Sequence, residues 1–238
     1  MSHVIAEDIT VEFPIYGLKN QSLKSTFIRA ATGGILDRDA SHRVVVRALK
    51  NINFSFKNGD RVGILGHNGS GKSTLLRVIA GAYEPTQGSI SVQGRVASML
   101  SISVGMDSES TGYENIYLRG IIMGLKPSEI NALTAAIAEF SELGDYLHMP
   151  LRTYSSGMSM RLAFAISTSV PADIILMDEW MSVGDASFYE KAQERLQLMI
   201  KSSNLLFLAS HDENLVRRNC NAILNLNHGE VTSFERLS

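Results

Sequence analysis

Residues 66–74 read GHNGSGKST and are the part of the sequence most specific for one chemistry. They match the phosphate-binding pattern G-x-x-x-x-G-K-[ST], in which glycines let backbone N–H groups surround phosphate oxygens. We predict that Lys72 reaches the β- and γ-phosphates of a nucleotide and that Ser73 is a ligand of Mg²⁺. The candidate nucleotide-binding residues of this loop are Gly66, His67, Asn68, Gly69, Ser70, Gly71, Lys72, Ser73 and Thr74.

Two adjacent acids close the apolar run in ADIILMDEW. Asp178 stands at the end of a predicted strand, where its carboxylate can hold Mg²⁺ through water. Glu179 follows and is the candidate general base for an attacking water. A solvated Asp-Glu pair at a strand end is the alternative. Together with the phosphate-binding loop, the pair favours a nucleoside triphosphatase.

Two further segments carry weaker signals. Residues 154–158 read YSSGM, and Ser155, Ser156 and Gly157 open a predicted helix whose free N–H groups form a second anion site without a lysine. His211 follows an apolar strand and can hydrogen-bond to a γ-phosphate. A Ser-Ser-Gly helix start is usually just a cap and a single histidine is usually structural. The signal therefore comes from their positions on either side of Asp178 in the sequence.

The elements that must position these residues follow from the spacing of apolar side chains. Alternation predicts strands over residues 4–13 and 49–56, and the second ends at the turn dipeptide 58–59. A short apolar strand at 61–65 leads into the phosphate-binding loop. Helical spacing follows at once and stops at Gly81, so the loop stands between a strand and a helix, as its motif requires.

Residues 106–170 carry the strongest helical signals. Ser128, after Pro127, is predicted as the N-cap of a helix with apolar residues on one face. A second helix is predicted to begin near Ser155 and to end before Pro171. Strands return later in the chain, and the predicted runs are residues 174–177, 205–209, 222–226 and 231–234. Strands that alternate with helices around a helical block predict an α/β core with a helical insertion.

Composition excludes several classes of protein. Of the 238 residues, 45% are hydrophobic and 19% charged, which is typical of a folded globular protein. The net charge of −2 argues against a dedicated nucleic-acid binder. The single Cys220 excludes an internal disulfide and a multi-cysteine zinc site. We expect no signal peptide, and no apolar run approaches the about 18 residues that a membrane span needs.

The order GHNGSGKST, YSSGM, ILMDEW, SVGD and SH resembles the nucleotide-binding subunit of an ABC transporter over essentially the whole chain. The resemblance implies an α/β P-loop ABC ATPase core, a RecA-like sheet with an antiparallel β subdomain, plus an inserted α-helical subdomain. It implies one ATP-binding domain with its catalytic core at 1–105 and 169–238 and its helical subdomain at about 106–168. It also adds Asp185, in the D-loop, to the nucleotide-binding residues.

Within this family, TGYENIYLRG, TYSSGMSMRLAF and DEWMSVGDASF resemble the ATPases of polysaccharide exporters, the Wzt type for O-antigen. The resemblance implies a homodimer with two sandwiched ATP molecules, in which Ser155 and Gly157 close on the γ-phosphate of the partner's nucleotide. Glu179 then polarises water and His211 stabilises the γ-phosphate. The implied partner is a polytopic permease of the Wzm type, docked on the helical subdomain at the cytoplasmic face of the inner membrane.

Some positions depart from the family pattern. The signature LSGGQ is YSSGM here, and the Q-loop glutamine is absent, its place falling at Ser101 or Ile102. Phe13 or Tyr16 is expected to stack on adenine. We expect no C-terminal β-sandwich for glycan recognition, because such a domain needs about 100 residues and the predicted terminal hairpin leaves no room for it.

Three alternatives stay open at this stage. Residues 17–43, with five basic side chains, are expected to form a solvated or lipid-facing connection, with glycan recognition as the alternative. Within transporters, the exported substrate could instead be teichoic acid, capsule or a drug. A soluble ABC-type ATPase that acts on nucleic acid or ribosomes is the reading from a different class. Such proteins usually carry two cassettes or long coiled coils, and neither is present in this sequence.

Overall fold

The computed structural model describes residues 2–15, 36–38, 44–100, 102–179 and 186–237. These residues form two compact units. The first comprises Met1–Val96, Asp173–Trp180 and Asn204–Ser238, and the second Ala97–Ala172 and Met181–Ser203. The predicted helical subdomain, about 106–168, lies within the sequence range of the second unit. Tyr16, Ser101, Asp185, the SVGD segment and most of the connection 17–43 lie outside the described residues.

One sheet of the first unit is antiparallel. Strand β1 (His3–Pro14) pairs with β3 (Val44–Lys57) on one side and with β5 (Gln87–Gln93) on the other, and the short β2 (Leu36–Arg38) extends the sheet beyond β3. The predicted strands at 4–13 and 49–56 are confirmed. β5 was not predicted, because its sequence, QGSISVQ, is mostly polar and exposed along its length.

The other sheet of the first unit carries the phosphate-binding loop. Strand β4 (Arg61–Leu65) lies between β8 (Leu205–Ser210) and β9 (Ala222–Asn227) and is parallel to both. β7 (Ile174–Asp178) runs parallel to β8 on its far side, and β10 (Glu230–Arg236) pairs antiparallel with β9. Parallel strands end at the same sheet edge, so the loop after β4, the acids closing β7 and His211 after β8 come together.

The strands β7 and β8 are buried almost throughout, and this explains their sequences. Both read as continuous apolar runs, IILMD and LLFLAS, because a central parallel strand is covered on both faces. Phe207 of β8 packs against Phe56 of β3, with ring centroids 5.6 Å apart. The buried strands thus form a rigid base whose polar residues are confined to the edge.

Six helices are described, in chain order α1 (Lys72–Ile79), α2 (Gly112–Ile122), α3 (Pro127–Ser141), α4 (Ser156–Ser169), α5 (Ala186–Ser202) and α6 (Glu213–Asn219). α1 and α6 belong to the first unit, and the other four to the second. The short strand β6 (Val96–Ser98) and the 3₁₀ turns Gly144–His148 and Leu151–Thr153 complete the described elements. In this part of the chain, no helix has the length and apolar character needed to cross a membrane.

The helices of the second unit pack around aromatic side chains. Phe140 of α3, Phe164 of α4 and Phe188 of α5 are all buried, and the rings of Phe140 and Phe188 meet edge to face at 5.4 Å. Arg161 of α4 places its guanidinium over the Phe188 ring, and Lys191 of α5 places its ammonium over the ring of Phe140. This cluster fixes α4, the helix that begins with the YSSGM segment.

The prediction of Ser128 as a helix N-cap is wrong. The N-cap is Lys126, two residues earlier, so α3 begins at Pro127, and the N–H of Lys126 donates to Glu129 Oε2 at 2.8 Å. Proline suits the first helical position because its fixed φ matches the helix and its missing N–H would have no partner there. The prediction that a helix begins near Ser155 is confirmed, and Ser155 is its N-cap, since its Oγ accepts the N–H of Met158 at 3.2 Å.

Candidate nucleotide-binding site

The phosphate-binding loop is shaped by two glycines that no other residue could replace. A Cβ on Gly66 would lie 2.3 Å from the carbonyl oxygen of Leu226 and 2.4 Å from Ser70 Oγ. Gly71 has φ +109°, and a Cβ there would lie 2.7 Å from Ala48 O. Only glycine tolerates both the positive φ and such close approach of backbone. The loop therefore wraps tightly, with His67, Asn68 and Gly69 exposed at its tip.

Lys72 is the first residue of α1 and points its ammonium group back into the loop. Nζ donates to Gly66 O at 2.6 Å and to His67 O at 3.1 Å, and the side chain is almost buried. The N-terminus of α1 adds the partial positive charge of its free N–H groups. The ammonium group, the end of the helix and the loop amides thus lie close together, an arrangement suited to an anion. Thr74 follows in the first turn of α1, half-buried.

Ser73 and Asp178 meet although 105 residues separate them in sequence. Ser73 Oγ donates a hydrogen bond to Asp178 Oδ2. A serine hydroxyl and a carboxylate are both hard oxygen donors, which is the ligand chemistry that Mg²⁺ prefers. The donor set therefore fits the metal-site prediction for these two residues, which stays a prediction.

Glu179 and His211 form the second polar pair at this edge. His211 Nδ1 lies 2.7 Å from Glu179 Oε1, and both side chains are exposed. Glu179 has φ +68°, a left-handed conformation that is uncommon outside glycine. Its N–H donates to Ala209 O at 2.8 Å, which keeps this residue attached to the end of β8. The carboxylate is therefore exposed to solvent at the sheet edge, which is compatible with the predicted role of a general base for water.

The YSSGM segment lies in the second unit. Ser155 and Ser156 are exposed, and the first N–H groups of α4 have no carbonyl partner within the helix. A Cβ on Gly157 would meet only Ser155 Oγ, at 3.9 Å, among the described residues, so no described neighbour requires a glycine there. Behind the segment, the Tyr154 hydroxyl donates to Tyr146 O at 2.6 Å. The residue before the helix start is thus fixed by a hydrogen bond, while the side of the helix start at Gly157 is open.

The sequence profile of the ABC transporter family matches residues 49–182 of this chain. The chain belongs to the ABC transporter family. The match spans the phosphate-binding loop, the signature segment and Asp178 with Glu179. The prediction of an α/β ABC ATPase fold, and of an ATPase that is coupled to transport, is confirmed.

Three relatives indicate the range within the family. The chain is 44% identical to the O-antigen export system ATP-binding protein RfbE of Yersinia enterocolitica, over 97% of both proteins. It is 38% identical to the O-antigen export system ATP-binding protein RfbB of Myxococcus xanthus, and 40% identical to the teichoic acids export ATP-binding protein TagH of Listeria monocytogenes. It spans 53% and 55% of the lengths of these two relatives.

Solved ABC cassettes share the fold. The ATP-binding cassette MJ0796, solved as a dimer in a post-hydrolysis state bound to ADP and Pi, superposes with a TM-score of 0.69 at 22% identity over 99% of both chains. A second dimeric structure of MJ0796 gives the same values. At this identity the likeness concerns the fold.

The structure describes two positions at which the family resemblance leads us to look for a specific residue. Ile102, one of the two places for the Q-loop glutamine, is a buried apolar residue and offers no oxygen ligand. Phe13, a candidate for stacking on adenine, is 37% exposed and packs edge to face on Tyr83 at 5.4 Å. Tyr83 is held in turn by Arg77, whose guanidinium lies 5.7 Å from its ring centroid. Sequence reasoning missed Tyr83, because nothing in its local sequence links it to β1.

The predicted turn between β9 and β10 is confirmed, but sequence reasoning missed what this turn contacts. Gly229 N–H donates to Ser70 O at 2.9 Å, and Gly229 O accepts the N–H of Lys50 at 2.8 Å. Asn227 Oδ1 lies 3.0 Å from His67 Nε2, and the His228 and His67 rings are 4.9 Å apart. The C-terminal hairpin thus supports the phosphate-binding loop from outside. The sequence identifies the turn from its glycine but not what the turn touches.

Proposed function

We propose that this protein hydrolyses ATP to drive the export of a lipid-linked polysaccharide, of the O-antigen type, across the cytoplasmic membrane. The observation that carries the proposal is the similarity to the O-antigen export protein RfbE, at 44% identity over 97% of both chains. Family membership supports the ATPase, and this relative supports the class of substrate.

The residues of the first unit have distinct roles in this proposal. Lys72 releases its loop carbonyls and binds the β- and γ-phosphates of ATP, while the amides of the loop and of α1 bind the remaining phosphate oxygens. Glu179 accepts the proton of the attacking water as that water approaches the γ-phosphorus. His211 orients the Glu179 carboxylate and donates to the γ-phosphate as negative charge develops there.

Mg²⁺ is assigned to Ser73 and Asp178. Their two oxygens lie within hydrogen-bonding contact of each other, so these residues fit the donor chemistry of Mg²⁺ and would hold it, Asp178 through water. When bound, Mg²⁺ offsets the charge of the β- and γ-phosphates. Ser73 would supply a neutral oxygen to the metal and Asp178 a charged one.

The proposed active form is a homodimer that completes each site with residues from both subunits. Ser155 Oγ accepts one N–H within its own helix and keeps its hydroxyl proton free to donate to a γ-phosphate of the partner's nucleotide. The open space at Gly157 supports this role, because backbone amides without a Cβ above them let a phosphate approach closely. In the proposal, Ser156 and Asp185 also face the nucleotide.

The proposed docking surface for a polytopic permease, of the Wzm type, is the outer face of α2. That helix places Tyr117, Leu118, Ile121 and Ile122 in solvent, and Ile122 is 63% exposed. Its buried face holds the polar Asn115 and, four residues on, Arg119. Exposed apolar residues on a helix with a polar buried face support contact with another protein rather than with water. The permease would hold this chain at the cytoplasmic face of the membrane as a peripheral subunit.

Two absences belong to the proposal. The near-neutral net charge of −2 supports a protein that does not bind nucleic acid. Direct glycan binding is not part of the proposed role, and recognition of the exported sugar is assigned to the permease.

Teichoic acid export is the second candidate, supported by the 40% identity to TagH over 77% of this chain. Both candidates share a lipid-linked anionic or neutral glycopolymer and the same ATP chemistry. They differ in the polymer that accumulates when the protein is inactive, and this difference can be measured.

The test is complementation of a host strain from which the gene has been deleted. We expect surface polysaccharide to be lost and its lipid-linked precursor to accumulate inside the cell. The wild-type chain should restore export, and the Lys72→Ala variant, produced at the same level, should not. Accumulation of a teichoic acid precursor would select the second candidate. Unchanged surface polymers, or co-purification with ribosomes in place of a membrane protein, would overturn export altogether.

A further inference from the structure

Arg119 is a buried arginine on the inner face of α2. Only 6% of the residue is exposed. Its Nη1 donates to the carbonyl of Val104 and its Nη2 donates to Ser167 Oγ at 3.1 Å. Nε is buried and has no hydrogen-bond partner in the described structure. The guanidinium thus bridges a turn before α2 to the signature helix α4.

This arrangement is a poor way to stabilise a fold. Burial lowers the pKa of Arg119, since the charged form loses its hydration. Within the described part of the chain, no carboxylate lies at salt-bridge distance from the guanidinium. A buried charge without a counter-charge is costly, and a long apolar side chain would fill the same space without that cost. A role of Arg119 in positioning other residues would explain why a charged side chain occupies this buried place.

The turn that Arg119 holds immediately follows the place of the missing Q-loop glutamine. Residues 102–106 turn back at Gly105, which has φ +82° and where a Cβ would lie 2.8 Å from Ile122 Cδ1. One helical turn before Arg119, Asn115 bonds the backbone of the next stretch, 107–111, through both ends of its amide. Asn115 and Arg119 therefore bind the backbone of the segment that precedes α2. Of these two residues, Arg119 also contacts α4.

Ser167 is close to the C-terminal end of α4, whereas the signature residues are at its N-terminal end. An α-helix of 14 residues is about 20 Å long and moves as a rigid rod on short timescales. A bond at one end therefore helps to set where the other end, with Ser155 and Gly157, points. Ser167 is itself buried, so water does not replace this bond easily.

We propose that Arg119 is a positioning residue that couples the turn 102–106 and the docking helix α2 to the signature helix. This inference rests on the proposed function, because the motion to be transmitted is that of a permease pressing on the outer face of α2. When the turn or α2 shifts, the guanidinium carries the shift to Ser167 and reorients Ser155 and Gly157 toward the partner's nucleotide. A connection through Arg119 would replace the one that a Q-loop glutamine makes in other family members.

Ser167→Ala is the most direct test, because it removes one acceptor of the guanidinium and leaves the charge in place. Thr168→Ala is the matched control, since the described hydrogen bonds of that buried neighbour stay within its own helix, to Phe164 O at 2.8 Å and to Ala165 O at 3.5 Å. In the purified full-length protein with MgATP, Ser167→Ala should lower kcat about fivefold with KM for ATP within twofold of wild type. Thr168→Ala should leave both constants within twofold of wild type.

Variants of Arg119 complete the test. Arg119→Met should lower kcat at least as far as Ser167→Ala, and adding Ser167→Ala to Arg119→Met should cause no further loss, because both remove the same link. Arg119→Lys, which can still donate to one acceptor, should recover part of kcat. A kcat for Ser167→Ala equal to that of Thr168→Ala, or additive losses in the double variant, would overturn the proposal.

Loss of the proposed coupling can be distinguished from misfolding and from a purely structural role of these residues. Where Arg119→Met does not fold, as judged by thermal unfolding, the comparison of Ser167→Ala with Thr168→Ala decides. A thermal midpoint that falls in Ser167→Ala while kcat per folded molecule is unchanged would indicate a merely structural role and would also overturn the proposal. Because every comparison is with the ATPase of the wild-type chain, the result does not depend on which polymer is exported.

Discussion

His211 Nδ1 and Glu179 Oε1 lie 2.7 Å apart at the edge where β7 and β8 end. The two residues directly follow the adjacent parallel strands β7 and β8, so the sheet brings them together. Glu179 reaches this position through a left-handed backbone conformation, with φ +68°. A carboxylate that is held by a histidine and exposed to water has the position and the chemistry of a general base.

Glu179→Gln is expected to stop hydrolysis and to keep ATP binding. The amide cannot accept a proton, while Lys72 and the loop that bind phosphate are unchanged. We expect kcat to fall by about 100-fold or more, and a stable ATP-bound dimer to form. Phosphate release measures the first effect, and gel filtration with MgATP the second. Turnover near that of wild type would mean that another group activates the water.

The left-handed backbone at Glu179 predicts a stability difference between two inactive variants. Glu179→Gln keeps the side-chain bulk at φ +68°, whereas Glu179→Gly removes the clash between Cβ and backbone that this conformation causes. The free energy of unfolding of Glu179→Gly should exceed that of Glu179→Gln by about 1 kcal/mol. Urea denaturation of the two proteins without nucleotide gives the value. If Glu179→Gln were the more stable of the two variants, the left-handed backbone at this residue would not be strained.

The composite site predicts complementation between two inactive variants. Lys72→Ala removes the phosphate-binding ammonium, and Gly157→Asp places a negative charge where the partner's γ-phosphate must approach. Each alone should disable turnover. Mixing the two proteins should recover part of it, because one of the two sites in a mixed dimer then has both halves intact. Full activity of Gly157→Asp alone would contradict a role for the signature residue in the partner's site.

Replacing Gly157 with alanine is expected to raise the stability of the protein and to lower its activity. A Cβ there has open space, its nearest neighbour being Ser155 Oγ at 3.9 Å, and alanine is a better helix former than glycine. Gly157→Ala should therefore raise the free energy of unfolding, by up to about 1 kcal/mol. It should lower kcat, because the methyl group stands between the helix amides and the partner's phosphate. Chemical denaturation and steady-state ATPase assays test the two halves. Unchanged kcat would mean that nothing approaches this position closely.

Phe13 is predicted to bind adenine through its exposed ring. Its edge contact with Tyr83, 5.4 Å between centroids, fixes the ring and leaves 37% of the residue exposed. Base–aromatic stacking contributes about 1–3 kcal/mol, so Phe13→Ala should raise KM for ATP about tenfold with little change in kcat. Phe234→Ala, which removes another exposed aromatic of the first unit, is the control and should leave KM unchanged. Equal KM values for the two variants would assign the adenine contact to another side chain.

Several features could be predicted because their determinants are contiguous in sequence. The phosphate-binding loop depends on glycines that lie within nine residues of one another. The start of α4 depends on the hydroxyl of Ser155, which accepts the N–H of Met158 three residues further on. The central strands could be identified because burial on both faces requires an unbroken apolar run. Features of this kind can be predicted because they depend on residues that are close together in the sequence. The failure at Ser128 is also local, since a serine and a proline compete there and the ring of Pro127 sets where the helix starts.

The sequence by itself thus determined the loop, the strand that ends in Asp178 and Glu179, and the residue types of the site. Only the tertiary structure decided which distant groups meet: Ser73 with Asp178, the turn at Gly229 with Ser70, and Arg119 with Ser167. These contacts depend on strand order and helix packing, which arise from the burial of many apolar side chains together. No local pattern encodes them, because each partner alone resembles an ordinary polar residue.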